Sequence, residues 1–193
     1  MDAISSMALA AGLSWASGIR LYATVCVVGL LGKYGYVHLP AGLTILTHPW
    51  VIGLSAVLVL VEFLADKFPL VDSAWDSVHT FIRIPAGALL AMGAIDSSDP
   101  LISTLVALLG GTLAGGTHFA KAGSRALINT SPEPVSNMVT SFGEEGLVAT
   151  GLWMSLAHPA VFLVFIVLFI ILLIWLLPKL LRGVKMVWQR GVL

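Results

Sequence analysis

One cysteine, three tyrosines and only 10% charged residues distinguish this chain of 193 residues by what it does without. The lone Cys26 rules out an internal disulfide framework and a multi-cysteine metal site. Its apolar setting (ATVCVVGLL) reads as that of a small packed hydrophobe. Soluble domains carry about 25% charged residues, so the scarcity of charge argues against one. Ten basic residues balance ten acidic ones, which leaves no basic footprint for nucleic acid. The amino terminus (MDAISSMALAAGLSW) holds Asp2 and no positive n-region, so no cleaved leader is expected there.

What the chain has instead is hydrophobic residues, 58% of the total. Residues 159–177 contain no charge, and at about 1.5 Å of rise per residue they span a hydrocarbon core of roughly 30 Å. Further apolar segments run over about 4–31, 50–65, 74–95 and 101–128. The expectation is an all-α integral membrane protein, one transmembrane domain over 1–193 with about five transmembrane helices. Two stretches, 39–47 and 146–157, are too short to span and read as half-helices, re-entrant segments or interfacial helices. Each leads into a His-Pro pair, His48-Pro49 and His158-Pro159, with proline suited to a first helical position.

Residues 4–20 align without gaps to 102–118, 98 positions on, matching Ile4, Ser5, Gly12, Ala16 and Gly18 to Ile102, Ser103, Gly110, Ala114 and Gly116. This predicts two repeat units, 1–97 and 98–193. Three crossings between the unit starts would invert the second against the first, a common transporter plan. Lys179, Arg182, Lys185 and Arg190 follow the last span and predict a cytoplasmic carboxyl terminus.

Charge at bilayer depth costs at least about 2.5–3.5 kcal/mol, so the interruptions of the apolar segments are where function is sought. Glu62 and Asp66 share a helix face, Lys67 follows, and Asp72, Asp76, His79 and Arg83 recur at helical spacing as one stripe. Such carboxylates suit a proton relay or a divalent cation, with Asp72 and Asp76 as its ligands, or they pin the hairpin by pairing with Lys67, His79 or Arg83. His118, Lys121, Arg125 and Asn129 share a second face, suited to an anion such as phosphate or carboxylate. Alternatively, its Lys and Arg snorkel to headgroups. Glu144 and Glu145 read as helix-start carboxylates. Arg20 and Tyr22 follow Gly18 in mid-segment, where the helix either breaks towards a cavity or continues with Arg20 paired to Glu62 or Asp66.

GxRxY near the start, EFxADKxPxxDxxWDxxHTFIRxPAGALLA and HxAKAGxRxxxNxSPEPxxN with a following Glu pair together resemble the bacterial membrane family called domain of unknown function 4126. The resemblance covers nearly the whole chain. It implies that Glu62, Asp66, Lys67, Asp72, Asp76, His79, Arg83, Lys121 and Arg125 match family motif positions, and it implies a multi-pass protein of the bacterial inner membrane. It brings no activity.

The residues favour a small transporter or channel for an anionic or zwitterionic solute or lipid headgroup, coupled to a proton or cation. The alternatives are a Mg-dependent enzyme acting on a phosphate-linked lipid, and a non-catalytic scaffold. No catalytic residue and no cofactor is expected. Membrane lipids, a small anionic solute and a second copy of the chain are the expected partners.

Overall fold

The protein is described by a computed structural model over residues 1–95, 97–130 and 134–189; Arg190 lies outside them. Six α-helices account for most of it: α1 (Ala3–Lys33), α2 (Pro49–Ala65), α3 (Pro69–Ala94), α4 (Pro100–Ile128), α5 (Pro134–Ala157) and α6 (Pro159–Gln189). A 3-10 helix, Ala41–Thr47, precedes α2, and no strand occurs among the described residues. Proline opens every helix from α2 to α6, where its missing N–H costs nothing. The Asp2 and Asp99 carboxylates cap α1 and α4 by accepting from the backbone N–H groups of Ser5 (2.7 Å) and Leu101 (2.8 Å).

Ala3–Lys33, Pro100–Ile128 and Pro159–Met186 are long and apolar enough to cross a membrane. Ala41–Thr47 and Pro49–Ala65, bent by 66°, make a fourth candidate if counted together. Within 39–47 the structure has that short bent element, a separate helix over Ala41–Thr47. The expectation of a short element over 146–157 is not met. Those residues are the second half of the continuous helix α5, whose first half carries Asn137, Ser141, Glu144 and Glu145 and so escapes a search for apolar runs.

α1 breaks at Arg20, which leaves the helical region (φ −140°, ψ 80°). Before the break the helix runs antiparallel to α3: Met7 and Ala10 line a pocket with Ala91 and Ile95, and Ser14 Oγ donates to the Gly87 carbonyl (3.1 Å). After the break the chain turns back. Gly29 lies against Leu46 and Ile52, and Gly32 against Leu39 and Thr47. The Leu46 element rests in turn on Leu90 and Gly93, so both ends of α1 face the carboxyl end of α3.

That reversal corrects the expected inversion of the repeat. The aligned segments of α1 and α4 run side by side in the same direction: Ser14 Oγ sits 2.9 Å from where a Gly110 Cβ would lie, and Thr117 Cβ sits 2.8 Å from a Gly18 Cβ. Because α1 turns back, two traversals rather than three separate the aligned segments, and an even number preserves direction.

Small residues allow α1, α3 and α4 to touch backbone to backbone through Gly18, Gly87 and Gly110. Trp15 then ties α1 to α6, edge-on to Phe162 (6.2 Å), Phe165 (5.5 Å) and Phe169 (6.0 Å). Outward faces are apolar, with Val164, Leu168, Ile171 and Trp175 of α6 exposed, as a lipid environment requires.

A buried ion-pair network as the candidate functional site

The tip of α1, the end of α2, the start of α3, the end of α4 and the first half of α5 converge on one polar interior. Broken helices free backbone carbonyls, and side chains answer them here. Arg83 Nη1 donates to the Gly18 carbonyl (3.3 Å) and Thr24 Oγ1 to the Arg20 carbonyl (2.8 Å).

Among the described residues, four cations and four carboxylates form the centre. The Arg20 guanidinium touches the Asp66 carboxylate and reaches Glu144 (3.0 Å), the Ser141 hydroxyl (2.7 Å), Glu145 (3.7 Å) and Glu62 (4.0 Å). Arg83 touches Glu62 and reaches Asp76 (3.3 Å). The Lys121 ammonium stands 3.6 Å from each of Glu62, Asp76 and Glu144. Arg125 holds Glu144 by two bonds (2.8 and 3.0 Å) and Asp66 by a third (3.1 Å), the planar fork geometry that Lys lacks. Arg20, Arg83, Arg125, Glu62 and Asp66 are at most 1% exposed. Pairing is what makes burial of so many charges tolerable.

Two histidines flank the centre in definable tautomers. A guanidinium only donates, so His118 Nδ1 accepts from Arg83 (3.1 Å), and its Nε2–H donates to Thr80 Oγ1 (2.8 Å). The Trp75 carbonyl only accepts, so His79 Nδ1–H donates to it (2.7 Å), leaving Nε2 to accept from the Tyr22 hydroxyl (2.8 Å) in the neutral ring. Tyr22→Phe strands that nitrogen beside the break in α1. The expected cost is about 1–3 kcal/mol, read as a lower melting temperature in detergent. An unchanged melting point would show that the bond stabilises nothing.

The structure brings together Arg20, Tyr22, Glu62, Asp66, Asp72, Asp76, His79, Arg83, His118, Lys121, Arg125 and Asn129, with Asn129 donating to Asp72 (2.8 Å). Lys67 does not join them. It lies two residues beyond the end of α2, over the Phe63 ring, 4.6 Å from its centroid. Asp72 and Asp76 therefore do not pair with Lys67; Asp76 takes Arg83 and Lys121, and Asp72 takes the Asn129 amide. Among the described residues no three His, Cys, Asp or Glu side chains are placed to hold a metal ion.

Sequence reasoning missed α5. Glu144 and Glu145 stand in mid-helix rather than at a helix start, and with Asn137 and Ser141 they face the network. Their spacing of four, three and one is itself a helical stripe, and that signal was available.

Helices fit to cross a membrane, packed around a buried network of charges, define an all-helical membrane protein. The chain belongs to the family described as Domain of unknown function (DUF4126), whose sequence model matches residues 7–179 and so contains the whole network. No curated protein and no solved structure matches it.

Proposed function

We propose that the protein is a small ion-coupled membrane transporter or channel in which the network at the α1 tip moves protons or a small cation together with an anionic or zwitterionic solute or headgroup. The observation that carries this reading is the break at Arg20. A helix that reverses inside the protein, presents a guanidinium to carboxylates from α2 and α5 and gives its freed carbonyls to Arg83 and Thr24 resembles the interrupted helices with which membrane transporters build sites at depth. The carboxylates favour the coupling role. The cationic face of α4 is already neutralised by Glu62, Asp66, Asp76 and Glu144, so a solute anion has to compete with them for Arg125 and Lys121.

On this reading α2 to α6 traverse the bilayer and α1 is re-entrant, giving five crossings with the termini on opposite sides. Lys67, Arg182 and Lys185 then share the network's side, which the positive-inside rule makes cytoplasmic in a bacterial inner membrane. A homodimer is the expected assembly.

Proteoliposomes carrying an internal pH indicator test the reading. Wild type should dissipate an imposed pH or Na⁺ gradient faster than empty vesicles, and a panel of anionic and zwitterionic solutes should alter that rate. Glu62→Gln should abolish the difference, and the partly exposed Glu145→Gln, which disturbs packing less, should reduce it. Wild-type vesicles no leakier than empty ones across the whole panel would overturn the proposal.

A further inference from the structure

Among the described residues, six carboxylates belong to the network or border it, against four Lys and Arg cations. Glu62, Asp66, Asp76 and Glu144 match Arg20, Arg83, Lys121 and Arg125 one for one. The remaining two differ sharply. Glu145 reaches Arg20 at 3.7 Å and keeps a third of its side chain (33%) in contact with the surroundings, so it can stay charged. Asp72 is 0% exposed and makes no ion pair among the described residues.

The partner of Asp72 is neutral: Asn129 Nδ2 donates to its Oδ2 at 2.8 Å, while Oδ1 is buried with no hydrogen-bond partner among the described residues. Among the described residues, the charged groups that bear on it are Arg125 from α4, Asp66 from α2 and Asp76 from α3. Arg125 already serves Glu144 and Asp66, and the two carboxylates oppose a further negative charge. A fully buried carboxylate with no ion pair neutralises rather than bear the cost of desolvation.

We infer that Asp72 is a proton-binding site, holding its proton on Oδ1 in the resting protein while Oδ2 accepts from Asn129. The proton is taken up from the aqueous phase as H⁺ and returned to it, with no other bond made or broken. The inference deepens the transport reading and rests on it only for what the proton drives; the protonation itself is tested separately.

Infrared difference spectroscopy on the reconstituted protein reads the carbonyl stretch of a protonated carboxyl directly. At neutral pH the wild type should show that band, shifted in D₂O and lost as the pH is raised. Asp72→Asn, whose amide mimics the neutral acid, should remove the band, and Glu145→Gln should leave it. In detergent the wild-type melting temperature should fall from mildly acid to alkaline pH. Folding has to keep neutral a group that is ionised when unfolded above its ordinary value near 4, so that penalty grows with pH. Asp72→Asn should flatten the fall. A wild type with no such band at any pH from mildly acid to alkaline, or a band that survives Asp72→Asn, overturns the inference. A band that behaves as stated in a protein that moves no ion leaves the inference standing and removes the transport reading instead.

Discussion

Arg20→Leu is expected to destabilise the protein by about 3–5 kcal/mol, the largest effect of any single substitution in the network. The guanidinium touches or approaches Asp66, Glu144, Glu145 and Glu62 and donates to Ser141, so removing it leaves several buried carboxylates facing one another with only Arg83, Lys121 and Arg125 to offset them. The cost comes from the uncompensated charges more than from the lost bonds, and this gives a diagnostic second step. Pairing Arg20→Gln with Asp66→Asn removes one charge of each sign, and the double variant should recover about 0.5–3 kcal/mol relative to the sum of the singles. Thermal unfolding in detergent, followed by tryptophan fluorescence, checks both. A single variant as stable as wild type would show that the network does not anchor α1.

Gly87→Val ranks second, at about 1–3 kcal/mol or more. A side chain at Gly87 runs into Ala114 Cβ, and its Cβ would stand 3.1 Å from Ser17 Oγ and 3.3 Å from the Gly110 carbonyl. One of those atoms belongs to the backbone and the other two to short side chains, so α1, α3 and α4 have to separate rather than repack. Gly53 is the control. A Cβ there meets no heavy atom within 4 Å, so Gly53→Ala should be neutral or stabilise by up to about 1 kcal/mol through helix propensity. Equal melting temperatures for the two variants would mean that the three-helix crossing is slack.

The stripes on α3 and α4 were legible because charge recurring at three and four residues inside an apolar segment has one economical explanation, a helix face turned inwards. Asp72, Asp76, His79 and Arg83 did fall on that face, as did His118, Lys121, Arg125 and Asn129. The break at Arg20 was legible as an alternative, from glycine and a charge in mid-segment. The reversal that follows it was not, because two half-helices and one long helix have the same apolar length, and only contacts with Leu46 and Ile52 tell them apart. α5 was lost for a related reason. Glu144 and Glu145 look too polar to lie inside a membrane protein until Arg20, far away in sequence, and Arg125, on the preceding helix, are seen to neutralise them. Lys67 was misplaced by proximity: a residue one position beyond Asp66 points elsewhere once the helix ends.

The broken α1 also sets an order on biosynthesis. Its tip emerges from the ribosome before the helices it binds, and Arg20 bonds to Ser141, 121 residues later in the chain. Its nearer partners, Glu62 and Asp66, are themselves acids that lack Arg83 and Arg125 until α3 and α4 are made. On the proposed topology a guanidinium waiting at bilayer depth is costly, so α1, synthesised before its partners, is among the last helices to reach its final place. Ribosome-stalled chains ending before α5 should therefore leave the α1 tip accessible to water-borne thiol reagents at an introduced cysteine, and chains that include α5 should close it.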